Sequence, residues 1–216
     1  MTPKKIINCH AGALPFYRGR NILNWAIING EKKFAVTVHY VDEGIDTGDI
    51  ILQRFCPIDI KDHYVDVLSK AQKLCSEVLY DALVSIDKGD VQVIKQSDIH
   101  PVGFYCSERK IGDEYINWNW SSKRIYNFIR GISAPAPGAR TFFAGKEYII
   151  EKAELIDNAP DYIDKVGNIV GKKTDGIVIK TGDNTVLVTR MVSADTHENL
   201  DLSKLKIGQC FCDKNY

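Results

Sequence analysis

The chain has no run of about 18 apolar residues, the length a bilayer-spanning helix needs, and no basic segment leading into an apolar core and a small-residue cleavage site. Membrane spanning and secretion are therefore not expected. Neither sign of charge is in excess: 28 Lys and Arg offset 28 Asp and Glu. A bulk electrostatic pull toward nucleic acid or an anionic membrane is thereby removed. The 6 cysteines, at positions 9, 56, 75, 106, 210 and 212, include no Cys-x-x-Cys pair, and His63, His100 and His197 are read as lacking a metal-ligand partner. No metal is implied. Thiols without a disulfide pattern point to a reducing, cytoplasmic setting, with Cys56 and Cys75 as small packed hydrophobes. Internal repeats and low-complexity segments are also missing. What remains is an ordinary globular composition, 44% hydrophobic and 26% charged over 216 residues, enough for one large unit or two small ones.

Ile6-Ile7-Asn8 reads as a short strand ending in polar residues. Pro15 and Gly19 mark a loop, and Asn21 is placed to cap a helix carrying Ile22, Trp25, Ala26 and Ile28 that stops at Asn29-Gly30. Alternation over Ala35 to Val41 predicts a strand, with Val36, Val38 and Tyr40 on one face and Thr37 and His39 on the other. An acidic turn then leads into a second strand from Ile50 to Ile58, giving a hairpin-like pair. From Asp62, a good N-cap, apolar residues recur at three and four through Leu68, Ala71, Leu74, Val78, Ala82 and Ile86 until Gly89, the clearest helix in the chain. A charged linker is expected over 101–117. Beyond it come a short helix around Ser121 to Arg130, a Pro-Ala-Pro-Gly breaker at Pro135 to Gly138, and short strands punctuated by glycine turns, a pattern suited to a small β barrel or sandwich.

The chemistry concentrates early. Asn8 and His10 stand two apart at the end of a strand, so both side chains project from one face at its carboxyl edge, where open α/β sheets place ligands. An amide donor beside an imidazole suits a carbonyl becoming a tetrahedral oxyanion. Alone, an Asn-x-His pair is common and carries little. His39 reads as a packed or hydrogen-bonded histidine, and Trp25 as a core residue.

The pair does not stand alone. Asn8-Cys9-His10 is followed by Leu14-Pro15, Tyr17-Arg18-Gly19, Trp25 and then Asp42-Glu43-Gly44-Ile45-Asp46-Thr47-Gly48. This ordered series resembles the signature of the N10-formyltetrahydrofolate-dependent formyltransferases. Ile116-Asn117-Trp118, Ile129-Arg130 and Pro137-Gly138-Ala139 continue the resemblance toward the family's OB-like C-terminal domain. It implies an α/β fold: the C-terminal half of a Rossmann-like formyltransferase domain, with a mostly parallel sheet, over 1–100, and a small OB-like β-barrel domain over 118–216. The first βα half of the catalytic domain would be missing. An exposed sheet edge would then favour a homo-oligomer or pairing with a complementary N-terminal piece.

The same resemblance implies that His10 is the proton donor, that Asn8 helps hold the formyl oxygen, and that Asp46 keeps His10 basic. A carboxylate beside an imidazole does favour the charged ring. It also places Gly12, Ala13, Leu14, Pro15 and Arg20 against the folate, with the backbone of Asp42, Glu43, Gly44, Ile45 and Asp46 bordering its pterin. Gly44 and Gly48 would let that backbone approach the ligand. Position 12 departs from the commoner serine, so a hydroxyl contact made in relatives is unavailable to Gly12. The expected co-substrate is N10-formyltetrahydrofolate and the expected acceptor an amino sugar on a nucleotide, because Tyr17-Arg18-Gly19-Arg20 and Leu23-Asn24-Trp25 look closer to the sugar-modifying branch. Methionyl-tRNA is the alternative acceptor, and a catalytically incomplete fragment or split subunit the alternative to an active chain.

Overall fold

The computed structural model describes residues 6–212. Its contacts divide the chain into two compact units, one holding residues up to Ile27 together with Glu31–Arg109, the other Ile28–Gly30 and everything from Lys110.

In the first unit, β1 (Ile7–His10), β3 (Lys33–Tyr40) and β4 (Ile50–Pro57) form a 3-stranded sheet in the order β1-β3-β4. Between β1 and β3 lie the short strand β2 (Arg18–Gly19) and helix α1 (Ile22–Ile28). The long helix α2 (Tyr64–Lys88), the single turn α3 (Gln96–Ile99) and β5 (Tyr105–Cys106) complete the unit, with β5 running parallel to β2. Residues 105 and 106, within the span read as linker, are thus paired into this unit.

The expectation of a mostly parallel sheet is corrected: β1 pairs antiparallel with β3, and β3 antiparallel with β4. The physical reason for the second pairing is the short Val41 to Asp49 connection, which can reverse the chain into a hairpin but cannot carry it back for a parallel crossover. Strand alternation then sorts the side chains. Cys9 lies opposite Val38, and Phe34, Val36 and Val38 join Val67, Ala71, Val78 and Ala82 of α2 in the buried core. The opposite face carries Asn8 opposite His39 and His10 opposite Thr37.

Helix α2 begins one residue later than the sequence suggests. Its N-cap is His63, because the Asp66 carboxylate reaches back 2.9 Å to the His63 N–H, while Asp62 accepts from the Asp59 N–H and pairs with Lys70. At the other end Gly89 takes the left-handed conformation, φ 73°, that terminates helices. Asn21, expected to cap α1, spends its side-chain oxygen on the Arg109 N–H at 2.9 Å.

The second unit packs α4 (Ser122–Gly131) against an antiparallel 5-stranded sheet of β6 (Ala139–Phe143), β7 (Lys146–Leu155), β8 (Ile169–Lys173), β9 (Gly176–Lys180) and β10 (Thr185–Ser193). The strand order is β6-β7-β10-β9-β8. Ser121 caps α4 through its hydroxyl, which accepts from the Arg124 N–H. Isolated bridges join Cys212 to Phe142 and Cys210 to Asn168. Among the described residues no helix is long and apolar enough to cross a membrane.

Candidate active site

Three elements of the first unit meet at Asp46. It lies in the turn between β3 and β4 with φ 55°, a left-handed backbone that costs a non-glycine residue about 1 kcal/mol or more. Its Oδ2 accepts the Gly19 N–H at 2.9 Å and stands 3.6 Å from His10 Nδ1, within ion-pair range. Oδ1 is 3.3 Å from Asn8 Nδ2 and 3.5 Å from His39 Nε2. Asn8, His10 and Asp46 are therefore brought together, as the sequence leads one to expect. The other ring nitrogen of His10, Nε2, is 2.7 Å from the Tyr17 carbonyl oxygen. Both nitrogens of this buried ring, 8% exposed, consequently face acceptors.

The strained Asp46 backbone is held by a residue far away in sequence. The Gln96 amide nitrogen donates to the carbonyl oxygens of Asp46 and Gly48, each at 2.8 Å, while its carbonyl oxygen accepts from Arg18 Nε at 3.0 Å and Nη2 at 2.6 Å. Gln96 is 4% exposed and fully occupied.

The residues expected to touch folate divide. Gly12, Leu14 and Pro15 are buried in the loop after β1, with the Gly12 carbonyl accepting from Thr37 Oγ1 at 2.7 Å and the Leu14 carbonyl from Gln53 at 3.0 Å; Ala13 is part-exposed. A side chain at position 12 would collide with His10 Nε2 and the Tyr17 carbonyl. Arg20 lies at the surface, paired with Glu108 at 2.7 Å. Asp42, Glu43, Gly44 and Ile45 are exposed, and the Asp42 carboxylate accepts from the Gly44 N–H and Thr47 Oγ1 within its own turn. Within the hairpin, side chains added at Gly44 and Gly48 would strike Thr47 and the Tyr40 carbonyl. Trp25 is half-buried against the core and donates its indole N–H to the Ser107 carbonyl.

The sequence reading passed over Gln53 and Gln96, and took His39 only as a packed or hydrogen-bonded histidine on the Thr37 face. His39, 2% exposed, contacts the same Asn8 amide that faces Asp46. Its register opposite Asn8 and its place on the Thr37 face were the available signals.

Behind this face, on the far side of β1, Cys9 meets α2, with its Sγ 3.9 Å from the Cys75 carbonyl oxygen. Separately, a hydrogen bond between the two side chains lowers the Cys75 thiol to about 7, and with burial it raises Cys9. Burial alone pushes Cys106 up to about 11.

Comparison with known proteins supplies the family. The formyl transferase model matches residues 1–83, and the model of the formyl transferase C-terminal domain matches residues 110–204. The chain belongs to the formyl transferase family. Among its formyltransferase relatives, the methionyl-tRNA formyltransferase of Pelotomaculum thermopropionicum is 36% identical over 185 residues, covering 86% of this chain and 58% of that protein. The methionyl-tRNA formyltransferase of Fusobacterium nucleatum is 33% identical over 213 residues, covering 96% of this chain and 67% of that one. A solved structure, the N-formyltransferase from Helicobacter canadensis with folinic acid and dTDP-3-aminofucose, superposes with a TM-score of 0.69 at 25% identity, covering 85% of this chain and 65% of the other. This chain thus spans less than two thirds of the relative first named.

Proposed function

We propose that the chain transfers a formyl group from N10-formyltetrahydrofolate to an amine. The observation that carries this reading is the Asp46 carboxylate, set 3.6 Å from His10 and 3.3 Å from Asn8 on the sheet face away from the α2 core. In the reaction the amine nitrogen bonds to the formyl carbon, the carbon to N10 bond breaks, and the proton lost by the amine ends on N10. His10 relays that proton, Asp46 holds the imidazole, and the Asn8 amide lies beside the formyl group. Groups that hydrogen-bond and move protons are what a tetrahedral acyl transfer asks of a protein. The residues present also fit the donor: a pterin edge alternates donors and acceptors, and the exposed backbone of Glu43 to Ile45 offers both.

For the acceptor we favour an amino sugar carried on a nucleotide. In the second unit Arg140, Arg190 and Lys204 are paired with Glu147, Glu151 and Asp201, while Arg130 and Lys180 are buried, so a continuous basic face for a polyanion is not built from them. Methionyl-tRNA is the second reading, favoured by what the relatives at 36% and 33% identity are named for. The OB-like reading of the second unit draws on the bridges from Cys210 and Cys212 to Asn168 and Phe142, which flank the two edges of the sheet.

The test is to incubate the protein with N10-formyltetrahydrofolate and either dTDP-aminodeoxysugars or methionyl-tRNA, following tetrahydrofolate release at several salt concentrations. Formylation of the sugar nucleotide with a shallow salt dependence is expected. Formylation of the tRNA alone, falling steeply with salt through counterion release, would overturn the acceptor. Transfer to neither, in a preparation that binds the folate, would overturn the reaction.

A further inference from the structure

The loop that leaves β1 is bent against its own backbone preferences and is held from outside. Tyr17 takes left-handed backbone, φ 54°, where a side chain crowds the neighbouring carbonyl, and Asn21 follows it at φ 53°. This loop supplies two contacts that fix the site: the Tyr17 carbonyl oxygen stands 2.7 Å from His10 Nε2, and the Gly19 N–H donates to Asp46 at 2.9 Å. A carbonyl only accepts, so Nε2 carries a proton whether the ring is neutral or charged. The hold comes from residues 104–109, part of the span whose sequence reads as linker. Strand β5 lies parallel to β2, the Arg18 N–H donates to the Phe104 carbonyl at 3.2 Å, and the Arg20 N–H donates to the Cys106 carbonyl at 3.1 Å. Further along, Asn21 accepts the Arg109 N–H and the Ser107 carbonyl accepts the Trp25 indole N–H. Phe104 adds its side chain: its ring meets that of Tyr17 edge-on, with centroids 4.9 Å apart, and lies 5.6 Å from that of Phe16. The peptide joining Tyr17 to Arg18 is thus engaged on both sides, its carbonyl by His10 and its N–H by Phe104.

We propose that Phe104 is a positioning residue for formyl transfer: packed on Tyr17 and bonded to the Arg18 N–H, it fixes the Tyr17–Arg18 peptide and, through the Tyr17 carbonyl, the place of the His10 ring. This rests on the formyl-transfer reading above. Gln96, eight residues earlier in the chain, fixes Asp46 in the same way, so one segment holds the acceptors facing both ring nitrogens of His10. The segment read as linker belongs in part to the reaction apparatus. A group that relays a proton works only where its nitrogens meet the reacting atoms, and a misplacement of about 1 Å costs on the order of a hundredfold in rate. Phe104 is 42% exposed, whereas the Tyr17 it packs against is 8% exposed, so the Phe104 ring can be removed without emptying the core.

The test compares the parent with Phe104→Ala and Phe104→Tyr by steady-state formyl transfer and by NMR of protein carrying 15N-labelled histidine. Phe104→Ala should lower kcat about tenfold while KM for N10-formyltetrahydrofolate changes less than about twofold, and Phe104→Tyr, which keeps the ring, should recover most of the loss. In the spectra the parent should show a His10 Nε2 proton protected from water by its bond to the Tyr17 carbonyl. That proton should exchange faster in Phe104→Ala and be protected again in Phe104→Tyr. A kcat for Phe104→Ala within about twofold of the parent would overturn the proposal. So would a fall in kcat with the Nε2 proton unmoved, or a parent in which Nε2 carries no protected proton. Should the parent transfer no formyl group, the function reading fails, while the Nε2 proton in the free proteins still decides whether Phe104 holds His10.

Discussion

Gln96 donates its side-chain amide to the carbonyl oxygen of Asp46 at 2.8 Å, pinning from outside the turn the residue whose carboxylate meets Asn8 and His10. The same nitrogen holds Gly48, and the amide oxygen is held in turn by Arg18. Gln96→Glu removes both donated bonds and leaves two carbonyls facing a carboxylate. A loss of about 1–3 kcal/mol of stability is expected, the cost of leaving buried polar groups unmatched. Denaturant unfolding measures it, and formyl transfer should fall with it as Asp46 relaxes from its left-handed backbone. A Gln96→Glu protein as stable as the parent would show that the turn holds itself.

Gly12 leaves the space into which the His10 ring fits. An added Cβ would strike both His10 Nε2 and the Tyr17 carbonyl that this nitrogen contacts at 2.7 Å, so the ring must give way. Gly12→Ala and Gly12→Ser are each expected to lower kcat by about tenfold or more, with far-UV circular dichroism unchanged. This also accounts for position 12 in this chain: a serine there requires a different placement of the histidine. Parental kcat in the serine variant would show that the ring has room elsewhere.

The Cys75 thiol gives up its proton more easily than an ordinary thiol. The Cys9 thiol donates to Cys75 and lowers it from 9.0 to about 7. Alkylation of Cys75 by iodoacetamide, followed by peptide mass spectrometry, should therefore rise with pH through about 7. In Cys9→Ala the rise should move up toward 9.0, the ordinary thiol value, because the donor is gone. Identical profiles in the two proteins would dissolve the pair.

Asp183 links acid stability to the second unit. Burial works against its charge, yet the carboxylate accepts from the Ser122 and Asn184 N–H groups and from Thr181 Oγ1, and the net effect is a pKa below the usual 3.8. A group depressed in the folded state adds stability that is present above 3.8 and fades as pH falls through the lower folded value. Asp183→Asn should accordingly destabilise the protein at neutral pH and flatten the acid limb of its stability curve below about pH 4. Parallel curves for variant and parent would remove Asp183 from the acid response.

Local pattern and neighbouring chemistry were readable from the residues themselves. The alternation over Val36 to Tyr40 marked a strand and separated Thr37 and His39 from the core face, because the side-chain period of two is fixed by the backbone. The recurrence at three and four marked α2 through to Gly89, and Ser121 marked the start of α4. Asn8, His10 and Asp46 were legible as a set through the ordered motif they belong to. Tertiary structure alone decided what those side chains do to one another. Strand register set His39 opposite Asn8, and no local propensity encodes register between segments 31 residues apart. The hold of Gln96 on Asp46 spans 50 residues and depends on α3 folding back against the hairpin turn. Likewise the contacts of the Asn8 amide with His39 and Asp46 join residues that only the folded chain brings to the same atom.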